Sequence, residues 1–146
     1  MEDCTAHSLI CDLAVLAEGS VLFVRYEDVA AYDGEAGWFL PDDVLRHLEH
    51  PTRAATRIAK EQVGVELAGD ARLGLIESFR GNDGSWHLSF HHVAEFATPP
   101  DIRPGPGVAE ARWFRLDALP PRSEVAHKGW ALGVLKKMVG AGTRAG

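Results

Sequence analysis

Two short apolar runs near the start of the chain predict a β-hairpin. Residues 10–17 and 21–26 are rich in Val, Leu and Phe, and a Glu-Gly-Ser segment separates them. Runs of this length around a Gly-containing turn are typical of paired strands. The acidic segment 27–37 predicts a surface loop, and residues 38–40 predict a short strand that ends at Pro41.

The pattern becomes helical after Pro51, a residue type well suited to the first position of a helix. Between residues 52 and 63 the apolar positions recur at spacings of three and four, which places them in one apolar stripe along a helix. The stripe consists of Ala54, Ala55, Ile58, Ala59 and Val63. Gly64 predicts the end of this helix, because glycine readily adopts the left-handed cap conformation.

A second hairpin and a closing helix complete the predicted elements. Residues 72–79 and 86–96 flank a Gly-Asn-Asp-Gly segment, in which Asp-Gly is a strong turn signal. Residues 98–107 hold four prolines and two glycines and predict an irregular loop, and residues 111–116 predict a last strand. The C-terminal segment predicts a helix whose buried face holds Trp130, Val134, Leu135 and Met138, and whose outer face holds Lys128, Lys136 and Lys137.

The order of these elements favours an α+β fold. Strands outnumber helices and do not alternate with them, which disfavours a parallel doubly wound sheet and favours a mixed sheet with helices packed on it. The 146 residues are 46% hydrophobic and 25% charged, which is typical of one globular domain. This composition excludes a disordered tail, a collagen-like repeat and a coiled coil.

Charge and cysteine content narrow the functional classes. The net charge of −6 disfavours binding to a nucleic-acid polymer, and no apolar run approaches the roughly 18 residues that a membrane span needs. Cys4 and Cys11 are too few for a disulfide framework or a four-ligand zinc site, and Cys11 falls in a predicted buried strand, where we expect it to be inert. No basic residue precedes an apolar run at the N-terminus. We therefore expect a cytoplasmic protein with no membrane partner.

Residues 38–65 carry the clearest functional pattern, with the sequence WFLPDDVLRHLEHPTRAATRIAKEQVGV. This segment resembles the Nudix box, which reads Gly, five residues, Glu, seven residues, Arg-Glu, an apolar residue, any residue, Glu-Glu, any residue, Gly and an apolar residue. Aligned without gaps, the first Gly of the pattern falls on Asp43, the first Glu on Glu49 and the Arg on Arg57. The closing Gly falls on Gly64.

The resemblance extends beyond the box. Residues 21–25 are similar to the second strand of the family, residues 40–41 to the Leu-Pro before its loop, and residues 110–120 to its late strand and turn. The chain thus resembles the MutT-like Nudix hydrolases over about residues 8–138. The resemblance implies a single domain over residues 1–146, an α/β/α sandwich in which helices cover both faces of the sheet, and a short flexible C-terminal tail.

The resemblance also implies metal-assisted attack of water on a nucleoside diphosphate linked to another group. In the family, three glutamates of the box helix converge on Mg²⁺ or Mn²⁺. Here the same positions hold Ile58, Glu61 and Gln62, so two of the three anionic ligands are absent. One ion pair at 4 Å contributes about 4 kcal/mol at an effective dielectric constant near 20. We therefore expect a degenerate box with a weakened or absent metal site.

These departures support two hypotheses. In the first, the protein binds a nucleotide-like or other small ligand, and its metal-dependent pyrophosphohydrolase activity is weak or lost. In the second, it is an active Nudix hydrolase that cleaves a nucleoside diphosphate linked to another moiety and holds Mg²⁺ with Glu49, Glu61, Asp42 and Asp43. Isopentenyl-diphosphate isomerases share the family's fold, but the chain lacks convincing equivalents of their motifs. The resemblance also leaves a homodimer open.

The candidate catalytic residues are Glu49, Arg57 and Glu61. A structural pair of Arg57 with Glu49 or with Glu61 is the main alternative to a catalytic role. Asp42 and Asp43 stand where the family has Gly-Gly, and they either supply replacement metal ligands or are solvated acids of a differently shaped loop.

Three histidines in the second hairpin are further candidates. His87 and His91 point to one side of the strand and His92 to the other. His87 and His91 are roughly 13 Å apart along an extended chain, too far to share a metal ion. We expect ligand contacts from His87 or His91, together with Arg25, Trp38 and Gln62.

Overall fold

The computed structural model describes residues 7–32, 34–81 and 84–143, with side chains described as far as residue 139. Six strands and two helices follow one another in this part of the chain, and short 3-10 turns lie at Val29–Tyr32 and Arg122–Glu124. The elements are β1 (His7–Ala17), β2 (Ser20–Tyr26), β3 (Asp42–Val44), α1 (Pro51–Val63), β4 (Arg72–Arg80), β5 (Trp86–Phe96), β6 (Val108–Arg115) and α2 (Ala126–Thr143).

The six strands form one mixed sheet in the order β4-β5-β1-β2-β6, and β3 pairs with the first half of β1. β1 and β2 are antiparallel, as are β4 and β5, so both predicted hairpins are confirmed. β1 and β5 are parallel over the full length of both strands, from His7 opposite Trp86 to Ala17 opposite Phe96. The predicted mixed sheet is therefore confirmed.

Helices cover both faces of the sheet. Successive side chains of β1 point to opposite faces, so Cys11, Leu13 and Val15 pack in one core with α1, while Ala14 packs in a second core with α2. Both faces of β1 are buried, which explains why its sequence is almost continuously apolar. The α/β/α sandwich is confirmed.

Local signals set the ends of α1. His50 is the N-cap, and its Nδ1 accepts a hydrogen bond from the backbone N–H of Thr52 at 3.1 Å. Pro51 occupies the first helical position, and Gly64 caps the C-terminus with a φ of 69°. The irregular loop 98–107 then satisfies two carbonyls of the last turn, because the N–H groups of Arg103 and Gly105 donate to Val63 and Gln62.

The structure departs from the predicted elements around residue 40. Trp38 and Phe39 form only isolated bridges, to Val125 and Val24 respectively. Because these two residues pair with different segments, the predicted strand over residues 38–40 is wrong, and the strand of this region is β3, after Pro41. The predicted loop over residues 27–37 holds the first 3-10 turn.

The C-terminal helix begins with an irregular turn. His127, Lys128 and Gly129 have left-handed backbone conformations, with φ values of 53°, 56° and 84°, and regular helix follows. Its predicted buried face is confirmed for Val134, Leu135 and Met138, while Trp130 is half-buried. The predicted outer lysines are exposed. The helix continues to Thr143, and the expected tail beyond it lies outside the described residues. The Asn-Asp pair of the β4–β5 turn also lies outside the described residues. Within the described ranges, no helix is both long and apolar enough to cross a membrane.

Candidate functional site

A cleft opens where β1, β4 and β5 meet the loop before α1 and the start of α2. One part of the cleft, which we call the ring compartment, has a volume of about 190 Å³ and has Phe79 and Trp130 in its lining. Polar and aliphatic groups complete this lining, among them Ile10, Asp42, Arg80, His87, Ser89 and His127.

A second part of the cleft, the outer compartment, has a volume of about 330 Å³. Ile10, Asp42 and His87 line both compartments, so the two are contiguous. The outer compartment adds aromatic, hydroxyl and carboxylate groups, which come from Ser8, Tyr32, Phe39 and Asp43. A cleft with aromatic walls and a few convergent polar groups is typical of a small-molecule site.

His87 reaches the cleft because of the geometry of β5 and the turn before it. His87 and Ser89 lie two residues apart and share one face of the strand. The imidazole lies 5.3 Å from the ring of Phe79, measured between centroids, and its Nε2 is 2.9 Å from Ser85 Oγ. A Cβ on Gly81 would fall 2.2 Å from this Nε2, so the turn needs glycine for the imidazole to occupy this place. The structure thus places His87 in the lining.

The three positions of the box helix face three different environments. The Ile58 side chain is fully buried in the core beneath α1. Glu61 is half-exposed and contacts arginines. Gln62 points towards the loop that carries β3, where its Nε2 donates to the backbone carbonyl of Asp42 at 2.7 Å. These three side chains therefore do not converge on one point.

Arg57 gathers the carboxylates of the box around its guanidinium, and we call Asp43, Glu49, Arg57 and Glu61 the Arg57 cluster. Arg57 Nε lies 2.8 Å from Glu49 Oε2, and Nη2 lies 3.0 Å from Glu49 Oε1. Arg57 Nη1 lies 2.8 Å from Asp43 Oδ2 and 3.6 Å from Glu61 Oε2. The expected structural pairs with Glu49 and with Glu61 are both present. The hydrogen bond from Arg57 holds the pKa of Glu49 below its usual value.

Gln62 and Tyr26 hold the backbone of Asp42 in a closed set of hydrogen bonds. Tyr26 Oη donates to Gln62 Oε1 at 2.8 Å and accepts from the N–H of Asp42 at 2.9 Å. Burial raises the pKa of the Tyr26 hydroxyl, so it stays a donor, and Tyr32 stacks on its ring at 3.6 Å between centroids. This arrangement uses both ends of the amide, which a carboxylate at position 62 could not reproduce.

The sequence model of the NUDIX domain family matches residues 11–132. The chain belongs to the Nudix family. No curated protein sequence matches the chain.

Solved structures of Nudix proteins share the fold of this Nudix domain. A MutT Nudix hydrolase from Burkholderia pseudomallei superposes with a TM-score of 0.72 at 22% identity, over 90% of this chain and 97% of that one. A bifunctional NMN adenylyltransferase/ADP-ribose pyrophosphatase from Francisella tularensis, complexed with AMP and a manganese ion, gives 0.70 at 16%, over 88% of this chain and 41% of that one. The Nudix domain of Shewanella oneidensis NrtR, complexed with ADP-ribose, gives 0.66 at 16%, over 77% and 75%. At these identities the likeness establishes the fold alone.

The donor set of the box does not fit the divalent cation of the family. Ile58 offers no ligand atom, the amide oxygen of Gln62 already accepts a hydrogen bond from Tyr26, and Glu61 is paired with Arg46 and Arg57. Over the described ranges, no three Asp, Glu, His or Cys side chains form a group that could hold a metal ion. Divalent cations need several oxygen ligands, and here a guanidinium already lies among the available carboxylates.

We expected His91 to line the cleft, but it does not. Its side chain is fully buried between β1, β4 and α2. Its Nδ1 lies 2.6 Å from Asp12 Oδ2 and its Nε2 lies 2.8 Å from Glu77 Oε1, and Lys137 Nζ of α2 lies 3.0 Å from Glu77 Oε2. We call Asp12, Glu77, His91 and Lys137 the His91 cluster. In this structure His91 lies under α2, outside the lining of both compartments.

The His91 cluster holds a proton firmly. Burial lowers the pKa of His91, but the hydrogen bonds and charges of Asp12 and Glu77 outweigh this effect and raise it. Burial also raises the pKa of Asp12, whose Oδ1 has no hydrogen-bond partner among the described residues. An imidazole with a carboxylate at each nitrogen needs a proton at both positions, so the imidazolium is the form that this geometry fits.

Two further expected ligand contacts lie away from the ring compartment. Trp38 is buried under the sheet, and the guanidinium of Arg25 lies over its ring at 4.2 Å, with that of Arg112 at 5.1 Å. A guanidinium over an aromatic face is a stabilising contact in itself. In this structure the guanidinium of Arg25 packs on Trp38, and a ligand contact from either residue stays a prediction.

The predicted burial of Cys11 is confirmed. Its Sγ lies 3.5 Å from His92 Nδ1, and burial, together with the charge of Asp12, raises the pKa of the thiol. A thiol in such surroundings is a poor nucleophile. Cys4 lies outside the described residues.

Sequence reasoning missed several residues that the structure brings to these places. Phe79, Arg80 and His127 line the ring compartment, and Asp12 and Glu77 hold His91. Asp12 did carry a signal, since it is the one acid within an apolar run that predicts a buried strand, and a buried acid needs a partner. His127 carried none, because its position depends on the irregular start of α2.

Proposed function

We propose that this Nudix domain binds a nucleotide-like or other small ligand in the cleft, and that metal-dependent diphosphate hydrolysis at the box is weak or lost. The observation that carries the proposal is the guanidinium of Arg57 within 3.6 Å of Asp43, Glu49 and Glu61. Of the three box positions at which the family holds its metal ion, only Glu61 keeps a carboxylate, and the guanidinium groups of Arg46 and Arg57 already lie beside it.

The side chains of Ile58 and Gln62 also support this proposal. The side chain of Ile58 packs in the core beneath α1. Gln62 contributes to the order of the loop through Asp42 and Tyr26. Both positions therefore stabilise the fold through contacts that glutamate would not make.

The cleft supports ligand binding. Phe79 and Trp130 offer aromatic surface, and His87, Ser89 and Asp42 offer polar groups around the same space. Two structural relatives were solved with AMP and with ADP-ribose, which makes nucleotide derivatives the first ligands to try.

The experiment combines metal binding, ligand binding and turnover. Mg²⁺ and Mn²⁺ are titrated calorimetrically into the protein, and phosphate release is assayed for a panel of nucleoside diphosphate derivatives that includes ADP-ribose. We expect no metal affinity tighter than millimolar, little or no turnover, and saturable ligand binding that persists in EDTA. Metal-dependent turnover that Glu61→Gln abolishes would contradict the proposal and support the active hydrolase.

Two variants make this test specific. Glu66→Gln is the matched control for Glu61→Gln, because Glu66 is exposed just beyond α1 and pairs only with Lys60 in the described part of the chain. Conversely, the double change Ile58→Glu and Gln62→Glu should create metal affinity by restoring two carboxylates. Because Ile58 is buried, circular dichroism must first establish that this variant folds.

A further inference from the structure

We propose that the cleft takes an uncharged nucleoside, one aromatic base on a sugar, in preference to the nucleoside diphosphate derivatives typical of the family. This inference rests on the proposed function, since it requires that the cleft binds a ligand. It names the chemical class of that ligand.

The first argument is that most of the donors of Arg57 are already used within the chain, so little of its guanidinium is available to a phosphate. A guanidinium has five N–H groups: one on Nε and two on each terminal nitrogen. Nε donates to Glu49, Nη2 donates to Glu49 and to the carbonyl of Val44, and Nη1 donates to Asp43 and faces Glu61 at 3.6 Å. Four of the five N–H groups therefore already donate hydrogen bonds within the chain, and the fifth faces the carboxylate of Glu61.

The second argument is the charge around the box. Arg46 Nη2 lies 3.2 Å and 3.3 Å from the two oxygens of Glu61, so this second guanidinium is also engaged. Asp43, Glu49 and Glu61 face two arginines, which leaves one negative charge in excess. Asp43 also lines the cleft, together with Asp42 and Arg80, and this lining likewise holds one negative charge in excess. A diphosphate that enters without a metal ion is therefore repelled, and the repulsion is partly screened by salt.

The third argument is the shape of the ring compartment. Its volume of about 190 Å³ is below the roughly 300–1,000 Å³ of sites for drug-sized ligands, so it suits one ring system. Phe79, Trp130 and the imidazole of His87 supply flat surfaces for a base. Aromatic stacking contributes about 1–3 kcal/mol per base and requires no charge on the ligand.

The fourth argument is that the outer compartment suits a sugar. Ser8, Tyr32 and Asp43 line it, and these groups exchange hydrogen bonds with hydroxyls. Asp43 keeps acceptor capacity after its bonds to Arg57 and to the N–H of Val44, because an ionised carboxylate has about four acceptor sites. A ribose beside a base in the ring compartment would meet these groups.

The test compares each nucleoside with its own diphosphate, so that only the charged group differs. Adenosine, guanosine, cytidine and uridine, and the four matching diphosphates, are titrated calorimetrically in EDTA and again with Mg²⁺. We expect one nucleoside to bind about three- to tenfold more tightly than its diphosphate at low salt. The gap should narrow at high salt, and Mg²⁺ should leave the affinity for the nucleoside unchanged.

Two sets of variants test the stacking argument and the charge argument separately. Trp130→Ala should lower the affinity for the nucleoside about tenfold or more, and Trp130→Phe should restore most of it. Glu61→Gln removes the excess charge and should narrow the gap between nucleoside and diphosphate, whereas Glu66→Gln should leave it as it is.

The outcomes separate this inference from the proposed function. A diphosphate that binds more tightly than its nucleoside, through Arg80 of the ring compartment or through Mg²⁺, overturns the inference and leaves ligand binding intact. Failure of all eight compounds and of ADP-ribose to bind overturns this inference and, with it, the nucleotide-like ligand of the proposed function.

Discussion

The Arg57 cluster and the His91 cluster both place one cationic side chain among carboxylates, but they differ in their access to water. Glu61 and Asp43 of the Arg57 cluster have exposed fractions of 49% and 38%, and only Arg57 and Glu49 are largely covered. Asp12 and His91 are fully buried, and only Glu77 and Lys137 reach the surface.

This difference decides what each cluster can do. Water can replace a lost partner in the Arg57 cluster, so we expect substitutions of its exposed members Asp43 and Glu61 to be tolerated. No such replacement exists for Asp12 and His91, because an ion without its partner in a buried site is strongly destabilising. We therefore expect the His91 cluster to determine stability and the Arg57 cluster to determine the order of the loop at the cleft.

Removal of His91 should break this contrast most strongly. His91→Ala leaves the carboxylate of Asp12 buried without its imidazolium, and we expect a loss of about 3–5 kcal/mol in the free energy of unfolding. Urea denaturation measures it. The double variant Asp12→Asn with His91→Gln removes both charges and should lose less than the sum of the two single changes; strict additivity would show that the pair is not coupled.

Removal of Arg57 should have a smaller effect. Arg57→Met keeps the aliphatic part of the side chain but loses the bonds to Glu49, Asp43 and Val44, and we expect a loss of about 1–3 kcal/mol in the free energy of unfolding. The matched control is Arg46→Ala, whose side chain is 61% exposed, with an expected loss of about 0–1 kcal/mol. If Arg57→Met were as costly as His91→Ala, access to water would not explain the difference.

The dependence of stability on pH should show the smallest effect. Asp12 and His91 should give a decline in stability towards alkaline pH, and Glu49 and Glu77 a decline towards acidic pH. The pKa of His91 is raised, so its contribution is complete below its unfolded value of about 6.5 and is lost as the pH rises through the folded value. The raised pKa of Asp12 acts in the same direction, starting from its unfolded value of about 3.9. The pKa values of Glu49 and Glu77 are lowered, so their contributions are present above about 4.3 and are lost as the pH falls.

The measurement is the urea midpoint of the wild type and of the Asp12→Asn, His91→Gln double variant across a range from acidic to alkaline pH. We expect the variant to lose the alkaline decline attributed to His91 and to keep the acidic decline attributed to Glu49. Equal alkaline slopes in the two proteins would assign that decline to other groups.

The sequence predicted those parts of the fold that depend on local signals. Pro51, the apolar stripe and Gly64 lie within one short segment, and together they placed α1 within one residue of its observed start. The same register placed Ile58 on the buried face, which the structure confirms. The strand predicted over residues 38–40 was wrong because its backbone partners, Val24 and Val125, come from distant segments.

The His91 cluster could not be predicted for the same physical reason. Asp12 and His91 meet because β1 and β5 are parallel neighbours in one register, in which Asp12 lies opposite His91. A hairpin pattern reports only on neighbours along the chain and gives no information about such a pairing. The sequence predicted that His87, Ser89 and His91 share one face of β5. It did not predict that α2 covers this face at His91 and leaves it open at His87.

The parallel pairing of β1 with β5 also has a consequence during synthesis. Every partner of β1 on that side lies 79 positions later in the chain, as His7 and Trp86 do, so this edge of the strand stays open until β5 has left the ribosome. Contacts between such distant segments slow folding, because the long intervening loop must close first. A nascent chain or fragment that ends before Phe96 would therefore present a long apolar edge, which is the state most prone to capture by chaperones or to aggregation.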